Sequence, residues 1–170
     1  ARRFLGLIQD LDELLATRQE FLLGDWLEDA KRWGTAPGER AKCEWNARRV
    51  LTLWGSTSAI NDYARKQWAG MLRGYYAPRW QHYLDAAPAS IRDGHPLDEA
   101  KLKRELLQWA EEWSNGNETH ATEPLGDSIT VARRLWQKYG DEFKAEPATP
   151  DAVSLTTGKP VTCSNALPPY

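Results

Sequence analysis

The chain has few cysteines, no long apolar run and little net charge, and each shortage excludes a class of protein. Its 170 residues include two cysteines and three histidines and carry a net charge of -2. Cys43 and Cys163 lie in separate segments, so they make neither a disulfide framework nor a metal cluster. No apolar run approaches the roughly 20 residues of a membrane span. The charge supplies no basic field, so no nucleic acid partner is expected.

Motifs for catalysis and for cofactors are also missing. The sequence has no nucleophile elbow, phosphate-binding loop, dinucleotide-binding fingerprint or zinc-ligand spacing. Its many carboxylates show no convergence of two side chains on one pocket, which acid–base catalysis requires. His82, His95 and His120 form no ligand pattern and are expected to be solvated or to cap helices. The residues alone therefore predict no catalytic group, no metal and no cofactor in this chain.

Apolar residues recur at steps of three and four along most of the chain, which predicts amphipathic helices. We expect five helices. The first two cover residues 4–33 and 37–53, and the third begins at residue 59, is capped by Ser58 and has a kink or restart at Pro78. The last two cover residues 97–113 and the segment from Asp127 or Ser128 to about residue 140. Pro88 and residues 94–96 are expected to form a connection. Prolines and threonines dominate from residue 146 onward and cannot continue a bundle. The prediction is an all-α bundle of about five helices over residues 1–145, followed by a non-helical linker and tail over residues 146–170.

The nine tryptophans differ in their expected roles. Core packing is the better interpretation for those on helical stripes, namely Trp26, Trp68, Trp109, Trp113 and Trp136. Trp54 is different because it ends an apolar segment just before Gly55. Its ring either closes the core or forms a wall of a pocket, and the residues alone leave both interpretations open.

Five short motifs follow one another between residues 21 and 80. They read Phe21-Leu22-Leu23-Gly24-x-Trp26-Leu27-Glu28, Glu44-x-Asn46-x-Arg48, Leu51-Thr52-Leu53-Trp54-Gly55, Asp62-Tyr63-Ala64-x-Lys66-Gln67-x-Ala69-Gly70 and Tyr75-Tyr76-x-Pro78-Arg79-Trp80. In their order and their gaps they resemble the C-terminal all-helical domain of glycoside hydrolase family 89, the α-N-acetylglucosaminidases. Residues 90–124 match that family poorly.

The resemblance implies an exo-acting hydrolase that removes terminal α-linked N-acetylglucosamine with retention of configuration. The two carboxylates of such chemistry would belong to a (β/α)8 barrel upstream in the same polypeptide, so no catalytic residue is expected here. By analogy with the family, Trp54, Ile60 and Tyr63 would form one wall of the substrate pocket. Where the family often has a proline and an acidic residue after the Trp-Gly pair, this chain has Ser56 and Thr57. The expected partners are therefore the catalytic barrel and a glycan with a terminal α-linked N-acetylglucosamine.

A second resemblance concerns residues 153–164 in the tail. Val153-Ser154-Leu155-Thr156-Thr157-Gly158-Lys159-Pro160-Val161-Thr162-Cys163-Ser164 looks like the opening strand of a discoidin-type β-sandwich, the fold of many carbohydrate-binding modules. This suggests a fragment of a multimodular bacterial enzyme that is secreted or held at the cell surface; a eukaryotic homologue would be lysosomal.

Two alternatives to an accessory domain of a glycosidase stay open for the helical region. It could be an autonomous module that binds glycans through surface tryptophans, or a purely structural spacer.

Overall fold

The computed structural model of the chain describes residues 1–54 and 60–143. Six α-helices lie in these ranges: α1 (Arg2–Leu15), α2 (Leu23–Lys31), α3 (Pro37–Leu51), α4 (Ala77–Asp93), α5 (Glu99–Ser114) and α6 (Ser128–Tyr139). Between α3 and α4 a short hairpin is formed by β1 (Leu53–Trp54) and β2 (Ile60–Asn61). The predicted all-α bundle is confirmed, with this hairpin as an addition. In the described part of the chain, every helix is too short or too polar to cross a membrane.

Several predictions lie outside the described residues. They are the turn at Gly55, the departures at Ser56 and Thr57, the cap at Ser58, the linker and tail over residues 146–170, and the β-sandwich strand over residues 153–164.

The predicted starts of the last two helices lie within the described residues and are confirmed to within two residues. Asp127 accepts a hydrogen bond from the Thr130 amide at 2.7 Å, so its side chain caps α6. Asp98 caps α5 in the same way through the Lys101 amide.

The helix predicted over residues 4–33 is in fact two helices, α1 and α2. The backbone between them leaves the helical path because it pairs with residue 69. The Leu23 amide donates to the Ala69 carbonyl at 3.1 Å, and the Ala69 amide donates to the Phe21 carbonyl at 2.8 Å. These bonds satisfy backbone groups that a continuous helix would have used internally. Periodicity of the side chains could not show this interruption.

The helix predicted from residue 59 is also wrong, because residues 60–70 form β2 and an irregular segment. Asp62 has φ 52° and Gly70 has φ 93°, and neither conformation belongs to a right-handed helix. Helical structure begins with a π-helical turn, Leu72–Tyr76, which runs directly into α4. The kink or restart expected at Pro78 takes the form of this change from π-helical to α-helical structure, which comes two residues before the proline.

The connection predicted at Pro88 is wrong, because α4 continues through this residue to Asp93. Pro88 is exposed, so water can hydrogen-bond to the Leu84 carbonyl, which a proline amide cannot reach. The helix ends at Gly94, whose φ of 68° is the left-handed conformation typical of a helix C-terminus.

Asp12 of α1 caps the start of the π-helical turn. Its Oδ2 atom accepts hydrogen bonds from the Gly70 amide at 2.8 Å and the Arg73 amide at 3.0 Å. Amides at the beginning of a helical segment have no partner within the helix, so a carboxylate from another element satisfies them. The Asp12 side chain is buried, and it fixes α1 against the beginning of α4.

The main core lies between α2, α3, α5 and the π-helical turn. Its buried members are Leu23, Leu27, Ala47, Leu51, Leu53, Met71, Tyr75, Ala110 and Trp113. Among the tryptophans that were expected to pack in the core, Trp113 is buried, and Trp68 and Trp109 are half-buried. Trp26 and Trp136 are exceptions, because 38% and 65% of their surfaces remain exposed. Trp136 belongs to α6, which contacts α1 but contributes no buried side chain.

Buried Arg48 holds the connection between α5 and α6 against α3. Its Nη2 atom donates to Glu44 Oε1 at 3.0 Å and to the backbone carbonyl of Glu118 at 2.8 Å. Its guanidinium also lies 5.2 Å from the ring centre of Trp113. The same connection crosses α2 at Gly24, where the carbonyls of residues 120 and 121 leave no room for a side chain. A charged residue is thus kept in the interior by charge-assisted bonds.

Candidate functional site

Trp54 and Tyr63 form an exposed aromatic pair at the hairpin. Their ring centres are 4.2 Å apart and their planes differ by 25°, so the rings are stacked. The exposed fractions are 41% for Trp54 and 59% for Tyr63. Neither residue belongs to the buried core, so the interpretation of Trp54 as a core residue is wrong for this structure. The Tyr63 hydroxyl has no hydrogen-bond partner in the described part of the chain.

The hairpin register places Ile60 beside this pair. Trp54 is opposite Ile60, and Leu53 is opposite Asn61, in an antiparallel arrangement. Side chains alternate between the faces of a strand, so buried Leu53 and exposed Trp54 lie on opposite faces. Trp54, Ile60 and Tyr63, predicted from the resemblance, therefore come together in one short segment of backbone. Only the backbone of Ile60 belongs to the described structure.

Asp62 anchors the hairpin to α4. Its amide donates to the Thr52 carbonyl at 2.6 Å, and its carboxylate oxygens lie 2.9 and 2.8 Å from Arg79 Nη1. The Tyr75 hydroxyl also donates to Asp62 Oδ1, at 3.4 Å. The left-handed conformation of Asp62 turns the chain so that Tyr63 leaves β2 toward Trp54. The aromatic pair is thus fixed by backbone and charged contacts on both sides.

A buried tyrosine supports this anchor from below. Tyr75 is 1% exposed, and burial raises the pKa of its phenol above the ordinary value. The phenol therefore keeps its proton at neutral pH and donates it toward Asp62. Arg79 lies over the Tyr75 ring at 5.2 Å and completes the cluster. Asp62, Tyr75 and Arg79 act as a support rather than as groups free to transfer protons.

Thr52 fixes the other end of the hairpin. Its buried hydroxyl donates to the Arg48 carbonyl at 2.9 Å and lies 2.7 Å from the Ser114 hydroxyl. Ser114 is in turn bonded to the Ala110 carbonyl of α5. Because α3, α5 and β1 meet at Thr52, the position of Trp54 is set by two helices. Such a rigid supporting shell is what a precise binding contact requires.

A groove of about 280 Å³ lies on the inner side of the hairpin, facing α5. Leu53, Asn61 and Arg79 form one wall, and Leu102 and Lys103 of α5 form the other. It is mostly apolar, with a few charged groups at its rim. The described residues contain no group of three or more histidine, cysteine, aspartate or glutamate side chains that could hold a metal ion. The hairpin therefore offers binding surfaces, and the carboxylate of its own Asp62 is bound by Arg79.

Sequence reasoning missed the supporting residues of this site. Asp62, Tyr75 and Arg79 all occur in the quoted motifs, but no role was predicted for them. A signal was present in the aspartate directly before Tyr63, since aspartate tolerates left-handed backbone better than most residues. The helical spacing of Ile60 and Tyr63 concealed it.

Residues 1–138 match the family described as "Alpha-N-acetylglucosaminidase (NAGLU) C-terminal domain". The human protein named Alpha-N-acetylglucosaminidase is 36% identical over 133 residues, which are 78% of this chain and 18% of the human protein. The chain therefore spans about a fifth of the length of that relative.

Two solved structures of a family 89 glycoside hydrolase from Clostridium perfringens share the fold. One, in complex with 2-acetamido-1,2-dideoxynojirmycin, has a TM-score of 0.61 and 26% identity, covering 79% of this chain and 16% of the hydrolase. The other, in complex with PUGNAc, has a TM-score of 0.64 and 28% identity, covering 80% of this chain and 16% of the hydrolase. In each case the likeness extends over most of the helical region and a small part of the larger protein.

Proposed function

Because the chain belongs to the family of α-N-acetylglucosaminidase C-terminal domains, we propose that it is the accessory helical domain of a retaining exo-α-N-acetylglucosaminidase. It completes the substrate pocket of an upstream (β/α)8 barrel, which carries the catalytic carboxylates. The sugar removed is a terminal α-linked N-acetylglucosamine. The observation that carries this proposal is the exposed Trp54–Tyr63 pair on a rigidly anchored hairpin in a chain with this family membership.

The aromatic pair supports the proposal because its chemistry suits one face of a sugar ring. A pyranose has an apolar face of C–H groups that packs well on an aromatic plane. The Tyr63 hydroxyl is free to donate a hydrogen bond to a sugar oxygen. Ile60, whose backbone is opposite Trp54 in the hairpin, is the third residue of the proposed wall. Pockets for small ligands commonly combine such apolar walls with a few placed polar groups.

An exposed apolar surface on α1 and α4 supports docking onto the catalytic barrel. It consists of Phe4, Leu7 and Leu11 of α1 with Trp80 and Tyr83 of α4, all between 38% and 44% exposed. Phe4 and Trp80 contact edge to face at 5.0 Å, as do Trp80 and Tyr83 at 6.0 Å. A contiguous apolar surface of this kind is typical of an interaction site. The barrel is the proposed occupant, because relatives contain far more chain than the part matched here.

The proposal also includes the arrangement of the longer enzyme. Residues 1–145 are the helical domain, and residues 146–170 are a linker and the first strand of a discoidin-type carbohydrate-binding module. The enzyme would then be multimodular and act outside the cell or at its surface. These statements derive from the sequence pattern of the tail, which lies outside the described residues.

The test is a substitution of Trp54 in the intact enzyme. We expect Trp54→Ala to lower kcat/KM for an aryl α-N-acetylglucosaminide by about 100-fold, because loss of one positioning contact can cost that much. Thermal unfolding should change little, since the ring is exposed. Tyr63→Phe, which keeps the ring and removes the hydroxyl, should have a smaller effect.

Trp136→Ala is the matched control, because Trp136 is an exposed tryptophan on α6, a helix that takes no part in the hairpin. It should leave kcat/KM unchanged. Full activity of the Trp54→Ala enzyme, or a loss that accompanies unfolding only, would show that the hairpin is scaffold and that the helical domain is a spacer.

A further inference from the structure

A second aromatic site lies between α2 and α3, and we call it the Trp33 cleft. It is a concave space of about 390 Å³ whose walls include Trp26, Trp33, Asp29, Cys43 and Asn46. The volume is within the range of small-ligand sites. Asn46 lies on α3 and Trp54 on β1, and no residue that lines the cleft belongs to the hairpin. The cleft is therefore a separate feature from the Trp54–Tyr63 pair.

Trp33 is exposed to solvent and is followed by a turn that several hydrogen bonds hold in place. Its exposed fraction is 87%, the largest among the exposed apolar side chains of the described residues. The turn that follows it is held by Glu39, whose Oε2 accepts from the Thr35 amide at 2.9 Å and the Thr35 hydroxyl at 2.6 Å. The Arg40 side chain donates to the Gly34 carbonyl at 3.2 Å.

Gly34 adds to the rigidity of this turn. It is buried, and a Cβ atom there would lie 2.8 Å from the Arg40 Cα atom and closer still to backbone atoms of residues 39 and 40. Hydrogen bonds from Thr35 lower the pKa of Glu39, so the carboxylate that ties the turn stays charged. The base of an exposed ring is thus preorganised, and preorganisation lowers the entropy lost on binding.

Polar groups stand beside the two rings in positions suited to hydroxyl groups. The Asn46 amide is exposed and makes no hydrogen bond within the described ranges, so both its donor and its acceptor are available. Asp29 is held by Arg32 at 2.6 Å, which leaves carboxylate lone pairs facing the cleft as acceptors. The Trp26 indole N–H donates to the Ala47 carbonyl at 3.3 Å, which fixes the orientation of the ring. The face of the ring, and not its N–H group, is therefore available to a ligand.

We propose that the Trp33 cleft is a binding site for one neutral pyranose residue of a glycan. Trp33 and Trp26 pack against the C–H face of the sugar, and Asn46 and Asp29 hydrogen-bond to its hydroxyl groups. A neutral sugar is favoured because the charges beside the cleft are already paired, Asp29 with Arg32 and Glu28 with Lys31. The site holds one sugar of a glycan at a place apart from the Trp54–Tyr63 pair. It does not depend on any role of Trp54 in catalysis.

The experiment is a titration of the full 170-residue chain, labelled with ¹⁵N, with three probes: N,N′-diacetylchitobiose, cellobiose and lactose. Indole N–H signals, assigned by single substitution, report each tryptophan separately. We expect at least one probe to shift the Trp33 and Trp26 signals in a saturable way, with a Kd on the order of 1 mM. Trp33→Ala should weaken this binding at least about tenfold, the equivalent of one good contact.

Two control variants separate the Trp33 cleft from the hairpin. Trp136→Ala removes another exposed ring, and Trp54→Ala removes the proposed pocket wall; both should leave the shifts at Trp26 unchanged. The proposal is overturned if no probe shifts Trp26 or Trp33, or if the shifts persist in Trp33→Ala. It is also overturned if Trp54→Ala abolishes them. Binding at the cleft with a catalytically silent Trp54 would support this inference while refuting the proposed function.

Discussion

Arg79 of α4 contacts Asp62 of the hairpin through a single nitrogen, Nη1, which lies within 2.9 Å of both carboxylate oxygens. About a quarter of each side chain is exposed, so the ion pair is less screened by water than a surface pair. Asp62 also has φ 52°, a conformation that few side chains tolerate. Asp62 therefore sets the direction of the backbone before Tyr63 and also attaches the hairpin, with its Trp54–Tyr63 pair, to α4.

Substitution of Asp62 should destabilise the chain in proportion to how many of these roles are lost. Asp62→Asn keeps a residue that accepts left-handed backbone and loses the ion pair, so we expect a decrease of about 1–2 kcal/mol in unfolding free energy. Asp62→Ala loses both, and we expect about 3 kcal/mol. Urea unfolding measures the loss, and near-ultraviolet circular dichroism reports whether the stacked rings stay together.

The exposed pair Arg92–Asp93 provides the control, since its side chains are 75% and 60% exposed. Asp93→Ala should change the unfolding free energy by less than about 0.5 kcal/mol. If Asp62→Ala were as mild as Asp93→Ala, the contacts between Asp62 and Arg79 would contribute nothing to the stability of the hairpin.

Gly24 and Gly6 should respond to alanine in opposite directions. A Cβ atom at Gly24 would lie 2.6 Å from the His120 carbonyl oxygen and closer still to that of Ala121, and both are backbone atoms that cannot rotate away. We expect Gly24→Ala to cost about 3 kcal/mol, as overpacking of a rigid contact does. Gly6 lies within α1 with no atom near its Cβ position, so Gly6→Ala should stabilise by about 0.5–1 kcal/mol.

Thermal or urea unfolding of the two variants gives the comparison directly. Equal effects would mean that the connection between α5 and α6 is able to move away from α2. In that case, the bonds from Arg48 to this connection would not hold it in place.

The sequence predicted the helices that have clear signals at both ends. α5 and α6 begin at capping aspartates, of which Asp127 was predicted, and their observed limits lie within two residues of the predicted ones. The errors fall where distant backbone groups decide the structure. Residue 69 pairs with the segment before α2, and Thr52 pairs with Asp62, so two predicted helices are interrupted. Helical spacing of apolar side chains carries no information about such long-range hydrogen bonds.

In the candidate site, too, some features could be predicted from the sequence, whereas others depend on long-range contacts. Trp54, Ile60 and Tyr63 were predicted from a resemblance, and the structure places them on one hairpin. The left-handed turn at Asp62 had a signal in the sequence, but its contacts with Tyr75 and Arg79 could not be predicted, because they depend on how the π-helical turn packs behind the hairpin. The Trp33 cleft was also invisible, since Trp26 lies on a helical stripe that looked like core.

The isolated chain should not hydrolyse an aryl α-N-acetylglucosaminide. Retaining hydrolysis requires two carboxyl groups about 5–5.5 Å apart, one free to act as acid and one as nucleophile. Asp62, which directly precedes Tyr63 in the sequence, is bound to Arg79 and the Tyr75 hydroxyl. Release of p-nitrophenol should equal the buffer rate at all chain concentrations. Turnover that rises with chain concentration and disappears in Asp62→Asn would instead place catalysis in this domain.

Acid should destabilise the fold through His120. Its Nε2 atom is buried without a hydrogen-bond partner in the described structure, and burial, aided by the positive charge of Arg48, lowers the pKa of its imidazole. Glu118, Glu44 and Asp12 oppose this effect but do not cancel it. The folded chain thus binds this proton less readily than the unfolded chain, whose histidine titrates near pH 6.5. The stabilisation is fully present above about pH 6.5 and is lost as pH falls toward the lower folded-state pKa.

Urea unfolding between pH 7.5 and about pH 5 measures this loss, because the urea midpoint should decrease as the pH is lowered. The decrease should become smaller in His120→Gln and should persist in His95→Gln, which alters an exposed histidine. An unchanged slope in His120→Gln would assign the acid sensitivity to other groups.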